Sequence, residues 1–332
     1  MGSEMCIRDS IHMANKFGTG DYQYELVEGW GQWPIDGVAS DIATTSNGNV
    51  YVAVRTSYAG LYTTEGDNPN SGVIIVFDKD GTFLTKWGKE YFATPHGLWI
   101  SPEDEIFHAD SGNHTVTRFN SDGELLMSIG VKDELGPQGE PFRSPTRAVQ
   151  STNGEIFVSD GYWQNRVHKF TNNGELICSW GEGEPVFKQE AWNLYKKEDN
   201  PNATGIPGTG PGEFNLPHDV TVDTNNNVYI MDRENNRCQI FDADGNFINQ
   251  WLDVRGPNDA VIDDDGIMHI AEGVGSVLIT TLEGDVIGRW GSRGEETGNF
   301  RGFPHGIWID NQGDIYVSEV GTTKGLQKFA RI

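Results

Sequence analysis

Three cysteines in 332 residues, Cys6, Cys178 and Cys238, are too widely spaced and odd in number for a disulfide framework or a cysteine-based metal site. Basic residues are scarce too: 24 Lys+Arg stand against 49 Asp+Glu, a formal net charge of −25. Nucleic acids and anionic membranes are polyanions that repel such a surface, so neither is expected as a partner. No apolar run approaches the roughly 18 residues of a membrane span. The stretch from Met1 to about Met13 lacks the apolar segment of a signal peptide and matches nothing later in the chain. Residues 1–20 therefore read as a disordered leader or cloning remnant, ahead of one domain over 21–332. The compartment stays open, since a signal peptide removed earlier leaves no trace. What the chain has in quantity is Gly (42), aromatic residues (11%) and short apolar alternations. With 36% hydrophobic residues it can bury a sizeable core, which excludes wholesale disorder.

Self-similarity is the strongest positive signal. One unit reads as Pro with apolar alternation, an Asn-Gly or Asp-Gly turn, a second strand ending near an acid, a third ending in Phe, another turn, and a fourth ending in Trp-Gly. The clearest copy opens at Pro145-Thr146-Arg147, turns at Asn153-Gly154 and runs Glu155-Ile156-Phe157-Val158-Ser159-Asp160. It continues through Arg166-Val167-His168-Lys169-Phe170, turns at Asn173-Gly174 and ends Cys178-Ser179-Trp180-Gly181. Equivalent units open at Pro34, Pro95, Pro217, Pro257 and Pro304, between 40 and 72 residues apart. Four short strands on a base unit of about 40 residues are propeller blades carrying insertions. The Asn-Gly and Asp-Gly pairs are expected to be type I′ hairpin turns, with positive φ at both central residues. Asp78-Lys79-Asp80-Gly81 and Asp242-Ala243-Asp244-Gly245 recur at such turns and complete no calcium-binding loop.

The sixth unit stops at Phe329-Ala330-Arg331-Ile332, one strand short. The missing strand reads at the other end of the chain, as Tyr24-Glu25-Leu26-Val27-Glu28-Gly29-Trp30-Gly31. Pairing the two closes the ring and leaves no open edge. The expected fold is all-β: a six-bladed β-propeller with its last blade closed by the N-terminal strand.

Blade by blade, the residue after the opening Pro is Ile35, His96, Thr146, His218, Asn258 and His305. With 8 His in 332 residues, three at six chosen positions arise by chance about 3 times in 10,000. The first strand of a blade lines the channel, and its starts in alternate blades stand about 120° apart around the axis. Three imidazoles converging in that way make a three-His site with one open position, as catalytic Zn²⁺ uses; another divalent transition metal accepts the same ligands. Channel histidines bonded to water are the alternative. The second strand returns to the same rim and brings Arg55, Ser111-Gly112, Tyr162, Arg233, Gly273-Val274 and Val320-Gly321 there. The acids just before them (Asp110, Asp160, Asp232, Glu272, Glu319) recur in nearly every blade, which favours turn-capping over chemistry.

These blades resemble NHL repeats. From about Trp33 to Phe329 the chain resembles peptidyl-α-hydroxyglycine α-amidating lyase, the second catalytic domain of the peptide-amidating enzymes. The likeness is densest at Pro95-His96-Gly97-Leu98, Ser159-Asp160-Gly161-Tyr162, Leu216-Pro217-His218 with Asp232-Arg233-Glu234-Asn235, and Phe303-Pro304-His305. It implies that His96, His218 and His305 bind a catalytic Zn²⁺, that Tyr162 and Arg55 are catalytic, and that Arg233 binds substrate. The family's Met two residues before the third histidine is Phe303 here, which joins the substrate-binding set. The acid after that histidine, which helps hold a structural Ca²⁺, is Gly306, and the disulfide cysteines are missing, with Trp163 following Tyr162. The Ca²⁺ is therefore not carried over with the zinc.

The resemblance also implies the reaction: a carbinolamide, small or peptide-derived, splits into an amide and glyoxylate, on a protein taken as a monomer. A hydroxyl beside a divalent metal becomes a stronger acid. Tyr162, next to a cation such as Arg55, suits the base, and the planar fork of Arg233 suits a substrate carboxylate. Two other readings stand beside this one. A metal-dependent hydrolase or lactonase would use channel carboxylates or Asn, for which Asn258, Asp36 and Asp259 are candidates. A non-catalytic NHL binding module is the other, with RNA disfavoured by the acidic charge. Insertions over residues 56–72 and 182–214 reach over the same rim. The second carries Trp192, Tyr195, Lys196, Lys197 and a Gly/Pro tract at 207–212, and is either a lid or a passive excursion.

Overall fold

The computed structural model describes residues 16–56, 72–181 and 208–332, so most of both insertions (57–71 and 182–207) lies outside the described residues. Within them, 25 strands form five four-stranded sheets and one five-stranded sheet. The one helical turn among the described residues is the 3₁₀ turn Arg233–Asn235. None of the described helical structure is long and apolar enough to cross a membrane. The first strands, Val38–Thr44, Pro95–Ile100, Pro145–Gln150, Pro217–Val222, Pro257–Ile262 and Phe303–Ile309, stand side by side around the axis, with the last against the first. This is a six-bladed β-propeller.

Packing explains why the apolar alternations recur. Six hydrophobic clusters fill the six gaps between neighbouring blades, so each blade is buried on both faces by the next. The gap between the last blade and the first holds Val52, Ile75 and Phe77 against Tyr316 and Leu326. Ring closure follows the expected route. Strand Tyr22–Leu26 pairs antiparallel with Leu326–Arg331, with Leu26 opposite Phe329. Within the stretch expected to be a leader, Lys16–Thr19 forms a fifth strand on the outside of that blade. Its Phe17 ring lies 5.7 Å from Trp290 and 5.3 Å from Phe329, so burial of that ring fixes the segment.

The turns differ from type I′. At Asp78–Thr82, Gly81 has φ +85° while Asp80 is not among the positive-φ residues. The Gly81 N–H donates to the Asp78 carbonyl at 3.0 Å and the Asp78 N–H to that of Thr82 at 2.9 Å. With the register slip between Val76 and Phe77, this is a three-residue loop with a glycine bulge. The reason lies two residues before the Asp-Gly pair: the Asp78 carboxylate accepts from the N–H groups of Asp80 and Thr82. Asn120 and Asp242 do the same in their blades. The turn glycine has a second task, because it rests on the tryptophan of the preceding blade. A Cβ added at Gly284 would lie 2.4 Å from Cδ1 of Trp251.

The recurrent acids are caps. The buried Asp110 carboxylate accepts from the N–H groups of Ala93, Thr94, Gly112 and Asn113, tying the loop into its blade to the loop beyond the second strand. Asp160, Asp232, Glu272 and Glu319 repeat the contact to the incoming loop. Asp110→Ala leaves these four donors without their acceptor, and it is expected to cost about 3 kcal/mol of stability in urea denaturation. An unchanged midpoint would refute the capping role.

Blade one departs from the expected register. Its first strand begins at Val38, and Ala39 opposite Val54 occupies the place that Pro95 opposite Asp110 holds in blade two. The residue facing the channel is thus Ser40 rather than Ile35, and the acid after it is Asp41 rather than Asp36.

Candidate metal centre

In all six first strands the register slips by one residue, at Ser40, His96, Thr146, His218, Asn258 and His305. A bulge re-aims the side chain it contains, and in blades two, four and six it brings the three histidines together. The three histidine rings form a near-equilateral triangle, with centroids 4.7, 4.8 and 4.8 Å apart. One ligand atom from each lies within 4.8 Å of the other two, and all three residues are buried.

Each ring is oriented by the blade that follows it. Nδ1 of His96 donates to the Thr146 carbonyl at 2.8 Å, Nδ1 of His218 to Asn258 at 2.6 Å, and Nδ1 of His305 to Ser40 at 2.7 Å. A carbonyl can only accept, so Nδ1 carries the proton and each Nε2 presents a lone pair. The rings also stay neutral. Burial holds His96 and His218 well below the ordinary histidine value and brings His305 to about 3; Arg55 and Arg233 push in the same direction.

Tyr162, reached from the loop after the second strand of blade three, is buried. Its hydroxyl lies 3.0 Å from Nε2 of His96 and 3.0 Å from Nε2 of His218. One O–H proton cannot satisfy two lone-pair nitrogens, so a cation among these atoms relieves a mismatch that the side chains cannot resolve themselves. The donor set therefore fits a divalent transition metal, which His96, His218 and His305 could hold.

Two arginines flank the triangle. Arg55 ends the second strand of blade one; its Nε donates to the Pro95 carbonyl at 2.8 Å, and its Nη2 is buried without a hydrogen-bond partner. Arg233 opens the 3₁₀ turn, its Nε donates to Glu234 at 2.8 Å, and its guanidinium carbon lies 5.7 Å from the centre of the Tyr162 ring. The cation seen against Tyr162 is thus Arg233, and the buried open donor belongs to Arg55. Phe303 stands in the rim, 46% exposed, with the Arg293 guanidinium 4.0 Å over its ring.

One layer of polar residues goes beyond the sequence reading, in which Asp259 alone of its aspartates is a candidate channel carboxylate. The next position along each first strand holds Asp41, Gly97, Arg147, Asp219, Asp259 and Gly306, and Arg147 meets the three aspartates beneath the histidines. Burial pushes the Asp41 and Asp219 carboxyls well above the usual carboxylate range. The signal was available in the sequence, one residue beyond the histidine position, once blade one is set in register.

Comparison with known proteins agrees with the fold. An NHL repeat is matched over residues 214–241. NHL repeat-containing protein 3 of Mus musculus is 30% identical over 303 residues, covering 85% of this chain and 76% of that protein. Peptidyl-alpha-hydroxyglycine alpha-amidating lyase 1 of Drosophila melanogaster is 28% identical over 240 residues, covering 66% of this chain and 41% of that one. Among solved structures, a virginiamycin B lyase from Staphylococcus aureus superposes with a TM-score of 0.56 at 15% identity, over 93% of this chain and 89% of that one.

Proposed function

We propose that this chain, which belongs to the NHL-repeat family that includes NHL repeat-containing protein 3, is a metal-dependent carbon–nitrogen lyase. Its substrate is an α-hydroxy-amide carrying a carboxylate, small or peptide-derived, and its products are an amide and glyoxylate. One observation carries the reading: three imidazoles from alternate blades, locked in one tautomer, converge on the axis beside a tyrosine and two arginines. The likeness to amidating lyases supports the choice of reaction.

A divalent ion held by His96, His218 and His305 supplies Lewis acidity, which makes a neighbouring substrate hydroxyl easier to deprotonate. The chain's own groups do the rest. Tyr162, its oxygen between two of the imidazoles, acts as the phenolate: it takes the proton from the substrate hydroxyl, delivers it to the departing amide nitrogen, and is left as the phenolate again. The carbon–nitrogen bond breaks with its electron pair going to nitrogen, and the hydroxyl-bearing carbon becomes the aldehyde of glyoxylate. No oxidant is consumed. Arg55 offers its buried Nη2 to the substrate carboxylate, while Arg233, held by Glu234, keeps positive charge against the Tyr162 ring. These cations make the mouth locally favourable to an anion despite the charge of −25.

The test is direct. Zinc-loaded protein incubated with α-hydroxyhippurate is expected to release benzamide and glyoxylate in equal amounts. If a panel of carboxylated α-hydroxy-amides yields none, the lyase reading falls.

A further inference from the structure

We propose that Arg147 is a built-in channel cation. The three aspartates under the histidine layer form a slot for a positively charged group, the chain fills it with its own guanidinium, and truncating Arg147 opens it to a hard divalent ion. The proposal holds independently of the reaction catalysed above.

Geometry defines the slot. Nη1 of Arg147 contacts Oδ2 of Asp41 and lies 2.9 Å from Oδ1 of Asp259, and its Nε lies 3.6 Å from Oδ1 of Asp219. All four side chains are buried, at 3% exposure or less. The carboxylates come from blades one, four and five, and the arginine crosses the channel from blade three. Blades two and six contribute glycine. A Cβ on Gly306 would lie 2.3 Å from Oδ1 of Asp41, and one on Gly97 would lie 2.8 Å from Cα of Arg147. The layer is thus shaped to admit one long cationic side chain and the carboxylates it meets.

The carboxylates are held in place without Arg147. Asp41 accepts from the N–H of Leu98 at 2.6 Å, Asp219 from that of Ala260 at 3.0 Å, and Asp259 from that of Ile307 at 2.7 Å, each in the following blade. Their remaining oxygens lean on the guanidinium: beyond their ion pairs with Arg147, Oδ1 of Asp219 and Oδ1 of Asp259 are buried with no hydrogen bond of good geometry. Convergent, preorganised carboxylate oxygens are what a hard ion such as Ca²⁺ takes, whereas the imidazoles above suit softer metals. On its other side Arg147 forms part of the lining of a cavity of about 590 Å³ that opens on the opposite face, between Trp99, Trp308 and Asp263. An ion therefore has a route to the slot that avoids the histidines.

The experiment compares wild type, Arg147→Ala and Arg147→Gln by thermal unfolding and calorimetric titration, with CaCl₂ or with EGTA at matched ionic strength. Wild type is expected to unfold at the same temperature in both and to bind no Ca²⁺. Arg147→Ala is expected to unfold earlier in EGTA, to bind one Ca²⁺ per chain, and to recover in CaCl₂. At 100 times the dissociation constant, ligand linkage shifts its folding equilibrium about 100-fold. Adding Asp219→Asn should weaken that binding at least tenfold. Should Arg147→Ala fail to fold in either buffer, Arg147→Gln, which keeps the start of the side chain but vacates the guanidinium position, decides the matter by the same titration. Stabilisation of wild type by Ca²⁺, or folded variants that ignore Ca²⁺, would overturn the proposal.

Discussion

Purified wild-type protein is expected to carry about one equivalent of a transition metal, and His96→Ala, His218→Ala and His305→Ala each to carry almost none. Each ring supplies one of three ligand atoms, so removing one leaves two nitrogens, too few for tight binding. The expected loss exceeds the 10- to 100-fold that changes outside the ligand shell cost. Circular dichroism of the same samples separates metal loss from unfolding. The histidines sit in a channel wall held by six inter-blade cores, so the fold should persist. The pH dependence has a definite sign. An exposed histidine takes up a proton near pH 6.5 and releases its metal. Here burial lowers all three rings, His305 to about 3, so they stay neutral and keep their lone pairs well below that pH. Metal is expected to be retained at pH 5.5 and lost only as the pH falls further, as read by elemental analysis after gel filtration at each pH. Release already at pH 6.5 would show that the rings are not shielded, and full metal content in any alanine variant would remove that residue from the centre.

How far this centre was legible before the fold is best seen blade by blade. The Pro-His pairs at His96, His218 and His305 repeat in sequence at the position where each first strand slips register, so sequence period and spatial layer coincide. Blade one broke the pattern. Ala39 stands where other blades have Pro, and the nearest Pro, Pro34, lies in the incoming loop, so a reading anchored on proline misplaced Ser40 and Asp41 by five residues. The Asp-Gly turns were misread for a related reason. Two-residue motifs were read alone, while the carboxylate of Asp78 two residues before the pair selects the longer loop by bonding two backbone N–H groups. The Arg147 layer escaped because no single blade announces it. A buried arginine in one repeat reads as an anomaly until three aspartates from distant blades converge on it. Local pairing is written in each repeat, whereas convergence on the axis depends on getting every register right at once.

Tyr162→Phe is expected to reduce kcat by 10²- to 10⁴-fold while leaving metal content and fold intact, the range that loss of a positioned proton-transfer group produces. The substitution is clean because the ring's own packing does not need the hydroxyl. The ring centroid sits 5.2 Å from His96 and 5.6 Å from His218, with the Arg233 guanidinium 5.7 Å away, and all three contacts survive in phenylalanine. Only the oxygen 3.0 Å from the two Nε2 atoms is lost, and with it the group that moves a proton from substrate oxygen to nitrogen. KM should change little, since the substrate carboxylate is assigned to Arg55. Arg55→Lys should show the opposite split, raising KM more than it lowers kcat, because an ammonium keeps the charge but lacks the planar fork. Steady-state glyoxylate release from both variants, alongside metal analysis, reads the two effects apart. If Tyr162→Phe turns over at the wild-type rate with its metal in place, the tyrosine carries no proton, and the transfer belongs to water or to another residue at the rim.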